Sequence, residues 1–322
     1  MYIKLKTTIK PYFKASACAL LLSLSVTLSA QTMSTHAFVQ RDSTLYLDVY
    51  RPQNPRADKA AVMAVFGGGF VVGNRDDAYQ RKVAEVLTQR GFTVISPDYR
   101  LGLKDTATVK KHSSLFKIDD LFQYCIDIAT EDCAAAVRWV CAHAAELDID
   151  TSRLVLTGSS AGAIAVLQLD YCRANTLPAA KELPSGWKPA AVVPYSGGIM
   201  CHKRDLKYKT PPAPTMLMHG VKDQIVHYKH FGLPFCAKLY GAKTVSKRMK
   251  KQGIPHWIIR FEGVGHEVAA WLPNSADLFC AFVDQVLAGR ISSLDATMTD
   301  SELKPTKWTT MTMLQMYKEV DN

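Results

Sequence analysis

The sequence predicts an α/β fold, a doubly wound and mostly parallel sheet flanked by helices, and two observations predict it. Unbroken apolar runs such as residues 60–66 and 190–195 alternate along the chain with helical patterns such as residues 79–90. A strand that is apolar at every position is buried on both faces, which is the condition of a strand inside a parallel sheet. Glycine turns follow several of these strands, at Gly67-Gly68-Gly69, Gly158 to Gly162 and Gly220. The carboxyl edge of such a sheet is where an α/β fold gathers chemically active groups.

The first element is an address. Residues 1–14 carry Lys4, Lys6, Lys10 and Lys14 with no acid, and residues 15–30 are apolar before the chain turns polar at Gln31. This pattern reads as a secretory signal peptide over residues 1–30, cleaved near Ala30, and places the mature chain in the periplasm or outside the cell. The apolar run is short for a transmembrane helix, so no stable membrane insertion is expected after cleavage. Cys18 follows small residues as a lipid-attachment site would, but most of the apolar run lies after it, where a lipobox needs the run before it. Loss of the four leader lysines lowers the formal charge from +10 to +6. The remaining basic runs are not interleaved with aromatics as a nucleic-acid groove would be, so no nucleic-acid partner is expected.

The full sequence, of 48% hydrophobic character, is long enough for one large core, and residues 31–290 are read as a single catalytic domain. Residues 36–40 and 44–50 form a hairpin through Arg41-Asp42-Ser43. The buried strand 60–66 ends in Gly67-Gly68-Gly69-Phe70-Val71-Val72-Gly73. The G-x-G-x-x-G spacing of a dinucleotide loop fails there, because its third glycine would fall on Val72. A glycine cluster after a buried strand instead brings backbone N–H groups close to a developing negative charge. No cofactor is expected.

Residues 79–90 make a helix closed by Gly91, and 92–101 the next strand and its exit. Residues 102–128 read as a long mixed connection, a small cap or pocket wall, before a helix that starts at Thr130. Residues 178–189 are irregular. Strands follow at 190–198, 214–220 and 257–261, the last of the sheet, with helices at 243–251 and 275–288. The tail, 291–322, is polar with an amphipathic patch over 311–317 and has no assigned role.

Seven cysteines remain after cleavage: Cys125, Cys133, Cys141, Cys172, Cys201, Cys236 and Cys280. Cys133 and Cys141 lie roughly 12 Å apart by helix rise, too far to bridge, and most of the set reads as small core residues. No C-x-x-C spacing occurs, and His227 and His230 have no nearby carboxylate at zinc-ligand spacing, so no metal is expected.

The chemistry centres on residues 153–165, an aliphatic strand that breaks at Gly158-Ser159-Ser160-Ala161-Gly162 and resumes as a helix. A serine exposed on a strained strand-to-helix turn leaves no room for side chains two residues to either side, which the G-x-S-x-G spacing around Ser160 meets. Ordinary close packing of a small-residue helix is the competing reading. Downstream, Asp223 follows the strand ending at Gly220, and His266 sits in Gly263-Val264-Gly265-His266-Glu267. A serine hydroxyl needs an adjacent base at neutral pH. His266 would take its proton while Asp223 holds the imidazole in the right tautomer. His219 and His256 read as packing or structural residues, and Asp277, the chief rival acid, lies after the histidine.

The order Ser, Asp, His, with Gly67 to Gly69 after an early strand, resembles the α/β-hydrolase superfamily, specifically its carboxylesterases and hormone-sensitive-lipase-like esterases, over residues 36–290. The resemblance implies an α/β-hydrolase fold with Ser160 as nucleophile, Asp223 as acid and His266 as base. It also implies an oxyanion hole formed by the backbone N–H groups of Gly68, Gly69 and Ala161. Such esterases read H-G-G-G where this chain has Phe66 before the glycines. The donors are backbone amides, so the hole should survive, and the question falls on how the loop is braced. Asp98-Tyr99-Arg100-Leu101 also matches a family pattern whose arginine is more often structural than catalytic. Phe70, Tyr99, Ile225 and Trp271, beside the motifs, are the expected pocket residues.

The reading is an exported serine esterase working through an acyl-enzyme on Ser160. Similar secreted enzymes remove acetyl or feruloyl groups from plant polysaccharides, so the partner is a small-molecule or polysaccharide ester. A serine peptidase of the same fold is the alternative, against which the mature chain leaves no room for a propeller domain before the hydrolase. A non-catalytic binding protein on a hydrolase scaffold is the other alternative, but such relatives tend to lose the nucleophile or base, and here all three residues are present.

Overall fold

In the computed structural model, residues 32–104, 109, 118–201, 206–232 and 238–320 are described. The expected signal peptide with its cleavage site, Cys18 and Cys236 lie outside the described residues. The sheet is built around β3 (Ala61–Val65), which is buried at all five positions. Its alternate side chains go to opposite faces, as the two-residue period of a strand requires. Ala61, Met63 and Val65 join one core layer, Val62 and Ala64 the other.

A hairpin of β1 (Thr32–Gln40) and β2 (Thr44–Arg51) opens the chain, with a register shift between Ala37 and Val39. β4 (Thr93–Pro97), β5 (Leu154–Ser159), β6 (Ala191–Tyr195), β8 (Thr215–Gly220), β11 (His256–Phe261) and β12 (Leu294–Met298) complete nine strands, in the order β1-β2-β4-β3-β5-β6-β8-β11-β12. Within this sheet, among the described residues, only the β1–β2 and β2–β4 pairings are antiparallel, and every pairing from β4 across to β12 is parallel. A second, three-stranded sheet pairs β10 (Lys238–Gly241) with β7 (Gly198–Cys201) and β9 (His230–Phe231).

Helices cover both faces, as an apolar parallel sheet demands. α1 (Ala78–Thr88) is started by Asp77, whose side chain accepts from the Gln80 N–H, and it buries Val83, Ala84 and Leu87. α5 (Ala276–Leu287) joins it on that face through Phe279, Phe282 and Val283. The other face carries α2 (Ile118–Ala142), α3 (Ala161–Asn175) and α4 (Ala242–Lys251). In α4 only one stripe, with Val245 and Met249, faces inward, and its basic residues stay on the solvent side. Each such aliphatic or aromatic side chain contributes roughly 1.5–3 kcal/mol by leaving water. Among the described residues no helix is long and apolar enough to cross a membrane.

Two expectations are corrected. The helix expected from Thr130 begins at Ile118, because Asp119 and Asp120 fall in its first turn, where acids suit the helix dipole, and Leu121, Cys125 and Ile126 extend its buried stripe. The strand at 257–261 is not the last. β12 pairs in parallel with β11, and as an edge strand with mostly exposed side chains it lacks the apolar pattern of a central one. The tail also forms α6 (Met313–Val320).

Cys125, Cys133, Cys172 and Cys201 are buried free thiols, and Cys141 and Cys280 are half-buried and also free. Arg100 clasps the fully buried Asp132 through Nε and through its backbone N–H, both at 2.9 Å, and Arg41 reaches the same carboxylate at 3.0 Å. Arg100 is therefore a structural anchor between β4 and α2.

Candidate active site

Ser160 sits at the junction of β5 and α3 with φ +50° and ψ −115°, a conformation that L-residues rarely adopt. Strain of this kind, on the order of 1–3 kcal/mol, persists only where the surroundings enforce it. They do so here. A Cβ on Gly158 would lie 2.5 Å from the Gly162 carbonyl carbon, and one on Gly162 would lie 2.2 Å from the Val65 carbonyl oxygen. Both glycines flanking Ser160 are thus required by backbone contact, which sets this turn apart from a merely small-residue helix start.

The turn aims Ser160 at the other two strand exits. Its Oγ is 2.8 Å from His266 Nε2, and His266 Nδ1 is 2.8 Å from Asp223 Oδ2. Asp223 Oδ1 accepts from the backbone N–H groups of Ile225 and Val226, each at 2.9 Å, so the carboxylate is locked in place. Nδ1 therefore donates to the aspartate and Nε2 is free to accept the serine proton. Burial alone would raise the Asp223 carboxyl. Nearby His266 and hydrogen bonds from His219 and His266 outweigh it and hold the group well below the ordinary carboxylate range. Asp277, the rival acid, is on the surface and pairs with Arg90 at 2.6 Å.

The sequence gives no hint of how His219 serves the acid. The ring is fully buried, with Nε2 2.8 Å from the Val226 carbonyl oxygen and 3.4 Å from Asp223 Oδ2. One N–H serves both, and the shorter contact shows that it donates to the carbonyl while leaning on the carboxylate. His256 is structural as expected, bonded to Ser246 and to the Ile254 carbonyl.

The glycine loop lies against the serine turn: a Cβ on Gly67 would be 3.3 Å from that of Ser160. Gly68, Gly69 and Phe70 all have positive φ, at +110°, +61° and +62°. Gly68 O accepts from the N–H groups of Val71 and Val72 at 3.1 and 3.0 Å. Where related esterases carry histidine, Phe66 stacks on Tyr99 with ring centroids 4.3 Å apart, and the Tyr99 hydroxyl reaches the carbonyls of Phe66 and Gly67 at 3.1 and 3.2 Å. Burial pushes the Tyr99 phenol far above its usual value, so it remains a donor. That pair braces the loop.

A cavity of about 480 Å³ opens beside Ser160 and Ala161. Of the four pocket residues named from the sequence, Phe70 and Ile225 line this cavity, and Tyr99 and Trp271 do not. Tyr99 lies beneath the loop, its hydroxyl spent on the two carbonyls. Trp271 is carried by the turn after His266 into the opposite core layer, beside α5. The other walls come from segments without motifs: Phe122 and Ile126 of α2, Met200 and Leu239 of the small sheet, and Met313 and Met316 of α6. His230 and Asp119 also face the cavity, while His227 stacks on Phe231 with centroids 5.2 Å apart. Among the described residues no group of three or more His, Cys, Asp or Glu side chains is placed to hold a metal ion.

The tail is tied down next to His266. Glu267 accepts from the Thr306 N–H at 2.7 Å, the Thr306 hydroxyl at 2.8 Å and the Thr309 hydroxyl at 2.5 Å, and its other oxygen accepts from the Gly265 N–H at 2.8 Å. From that clamp α6 crosses the cavity, and the Tyr317 hydroxyl donates to Gly69 O at 2.9 Å. The amphipathic patch at 311–317 was the one sequence signal of this wall.

Comparison with known proteins agrees with this geometry. The model of the carboxylesterase family matches residues 17–176, which include the glycine loop and Ser160. Lipase 2 of Moraxella sp. (strain TA144) is 32% identical over 105 residues, 33% of this chain and 20% of the lipase. An ethyl acetate hydrolase of Pseudomonas putida is 30% identical over 142 residues, 44% of this chain and 37% of that protein. The matched stretch thus spans well under half the length of these curated relatives. A thermophilic esterase from the planctomycete Thermogutta terrifontis superposes with a TM-score of 0.54 at 19% identity, covering 80% of this chain and 93% of its own, which speaks for the fold. The parallel nine-stranded sheet, the strained serine turn and these similarities give the chain an α/β-hydrolase fold, with similarity to the carboxylesterase family over residues 17–176.

Proposed function

We propose that the protein is an exported serine hydrolase of carboxylic esters that works through an acyl-enzyme on Ser160. One observation carries the reading: Ser160, His266 and Asp223 form a continuous relay with both links at 2.8 Å, and Ser160 lines an apolar cavity. As Ser160 Oγ attacks the ester carbonyl, His266 Nε2 takes its proton, and Asp223 stabilises the imidazolium. The N–H groups of Gly68, Gly69 and Ala161 have no acceptor among the described residues, and they receive the oxyanion of the tetrahedral intermediate. The intermediate collapses by breaking the bond to the alkoxy oxygen, which leaves as the alcohol with the proton from Nε2. Water, deprotonated by His266, then attacks the acyl-enzyme and releases the acid with Ser160 restored.

The printed activities of the relatives, a lipase and an ethyl acetate hydrolase, support ester substrates. The apolar walls and the volume of the cavity suit an acyl group larger than acetyl. With the leader at residues 1–30, this favours feruloyl or comparable apolar acyl esters of plant polysaccharides over their acetyl esters. The test is turnover across an acyl series of aryl esters, alongside acetylated xylan, feruloylated xylan and a dipeptide amide. Aryl ester turnover that a Ser160→Ala change lowers by about 10³-fold or more is the expected result. Retained activity in that variant, or preferred cleavage of the amide, overturns the reading. Export is tested by sequencing the amino terminus of the extracytoplasmic protein, which should begin near Gln31.

A further inference from the structure

We infer that Tyr317 is a positioning residue for the oxyanion loop, an inference that rests on the ester-hydrolase reading above. Three consecutive residues of that loop, Gly68, Gly69 and Phe70, have positive φ, and Phe70 has no glycine freedom to make this easy. Such a backbone keeps one orientation only if its peptide planes are held. In a trans peptide the carbonyl and the following N–H point in opposite directions, so fixing one oxygen aims the next amide.

Each plane has its own anchor. Gly67 O is held by the Tyr99 hydroxyl, which aims the Gly68 N–H, and Gly68 O is held by the Val71 and Val72 N–H groups, which aims the Gly69 N–H. The third carbonyl, Gly69 O, is held by the Tyr317 hydroxyl at 2.9 Å, from a helix 248 residues further along the chain. The packing is close: a Cβ on Gly69 would meet Met316 Cε at 2.8 Å and Tyr317 Cε1 at 3.2 Å. Without the hydroxyl, the Gly69–Phe70 plane can rotate to relieve the positive φ of Phe70. The Gly69 N–H belongs to the neighbouring plane, held through Gly68 O, so the rotation reaches it through the Gly69 Cα that the two planes share and shifts that donor relative to the oxyanion.

The test is Tyr317→Phe, which keeps the ring against Phe122 and removes only the donor. For a short-chain aryl ester, kcat should fall about tenfold or more while KM stays within about twofold, because the lost contact matters chiefly in the transition state. The affinity for a trifluoromethyl ketone, which forms a tetrahedral adduct with an oxyanion, should fall in the same proportion. The affinity for the unreactive methyl ketone of the same shape should not move. A variant whose kcat and trifluoromethyl ketone affinity match wild type overturns the inference, as does a fall in Tm with kcat preserved in the folded fraction. Wild-type protein that neither hydrolyses aryl esters nor takes a fluorophosphonate on Ser160 overturns the reading of the site and this inference with it. A labelled, active wild type with an unaltered Phe variant overturns only the role of Tyr317.

Discussion

His219 stands behind Asp223, its Nε2 3.4 Å from the same Oδ2 that holds His266 at 2.8 Å. The acid of the relay is thus flanked by two imidazoles, one facing the serine and one wholly buried. Replacing His219 by Gln keeps a donor for the Val226 carbonyl but shortens its reach to the carboxylate. The expected outcome is a stability loss of about 1–3 kcal/mol in urea unfolding and a lower kcat with KM little changed. Wild-type stability and kcat would show that His219 is only filler.

Asp223→Asn should lower kcat by about 10³-fold or more, because the amide favours the wrong tautomer of His266. The same variant tests a pH effect. The folded-state carboxyl is held below its usual value, so its contribution to stability is present above the unfolded value of about 4 and is lost as pH falls below it. Acid unfolding curves of the Asn variant should therefore be flatter than wild type below about pH 4, and parallel curves would contradict the stabilised carboxylate.

Gly162→Ala should destabilise by about 3 kcal/mol or more, since the new Cβ would lie 2.2 Å from the Val65 carbonyl oxygen, a backbone atom that cannot turn away. Thermal unfolding measures this. Gly253→Ala makes a contrasting control. Nothing lies within 4 Å of the added carbon there, so only the cost of its left-handed backbone, φ +67°, should appear.

Met313 and Met316 give the cavity part of its wall. Changing Met316 to Ala should shift the optimum of the acyl series toward longer chains, with kcat/KM for the longer ester rising about tenfold relative to the shorter one. An unchanged profile would mean that the acyl group does not enter this cavity.

Glu267→Ala removes the acceptor of Thr306 and Thr309 and frees the tail from the His266 loop. KM for apolar esters should rise about fivefold or more as the wall loosens, together with faster proteolysis after residue 300. Protease resistance equal to wild type would show that the tail is held by other contacts.

How much of this was legible depends on distance along the chain. Ser160, Asp223 and His266 each announce themselves locally, by a glycine turn or a strand exit, and the sheet supplies the convergence. The central strands are legible because burial on both faces leaves no polar position to obscure them. The edge strand β12 carries Asp295 and Thr297 and shows no such run. Tyr99 and Trp271 adjoin motifs in sequence, yet one points under the loop and the other into the opposite layer, since adjacency says nothing of direction. Met316 and Tyr317 could not be placed, because their partner is a loop at residue 69.

That distance has a consequence for when the protein becomes active. The bond from Tyr317 to Gly69 joins the glycine loop to a helix made 248 residues later in synthesis. Contacts so remote in sequence form late, after the intervening chain has been delivered and the loop-closure entropy overcome. A partly synthesised chain can hold the sheet and even the serine turn, but its substrate cavity stays open on one side. Ester cleavage should therefore reach its full rate only once residues 313–320 have been made and docked.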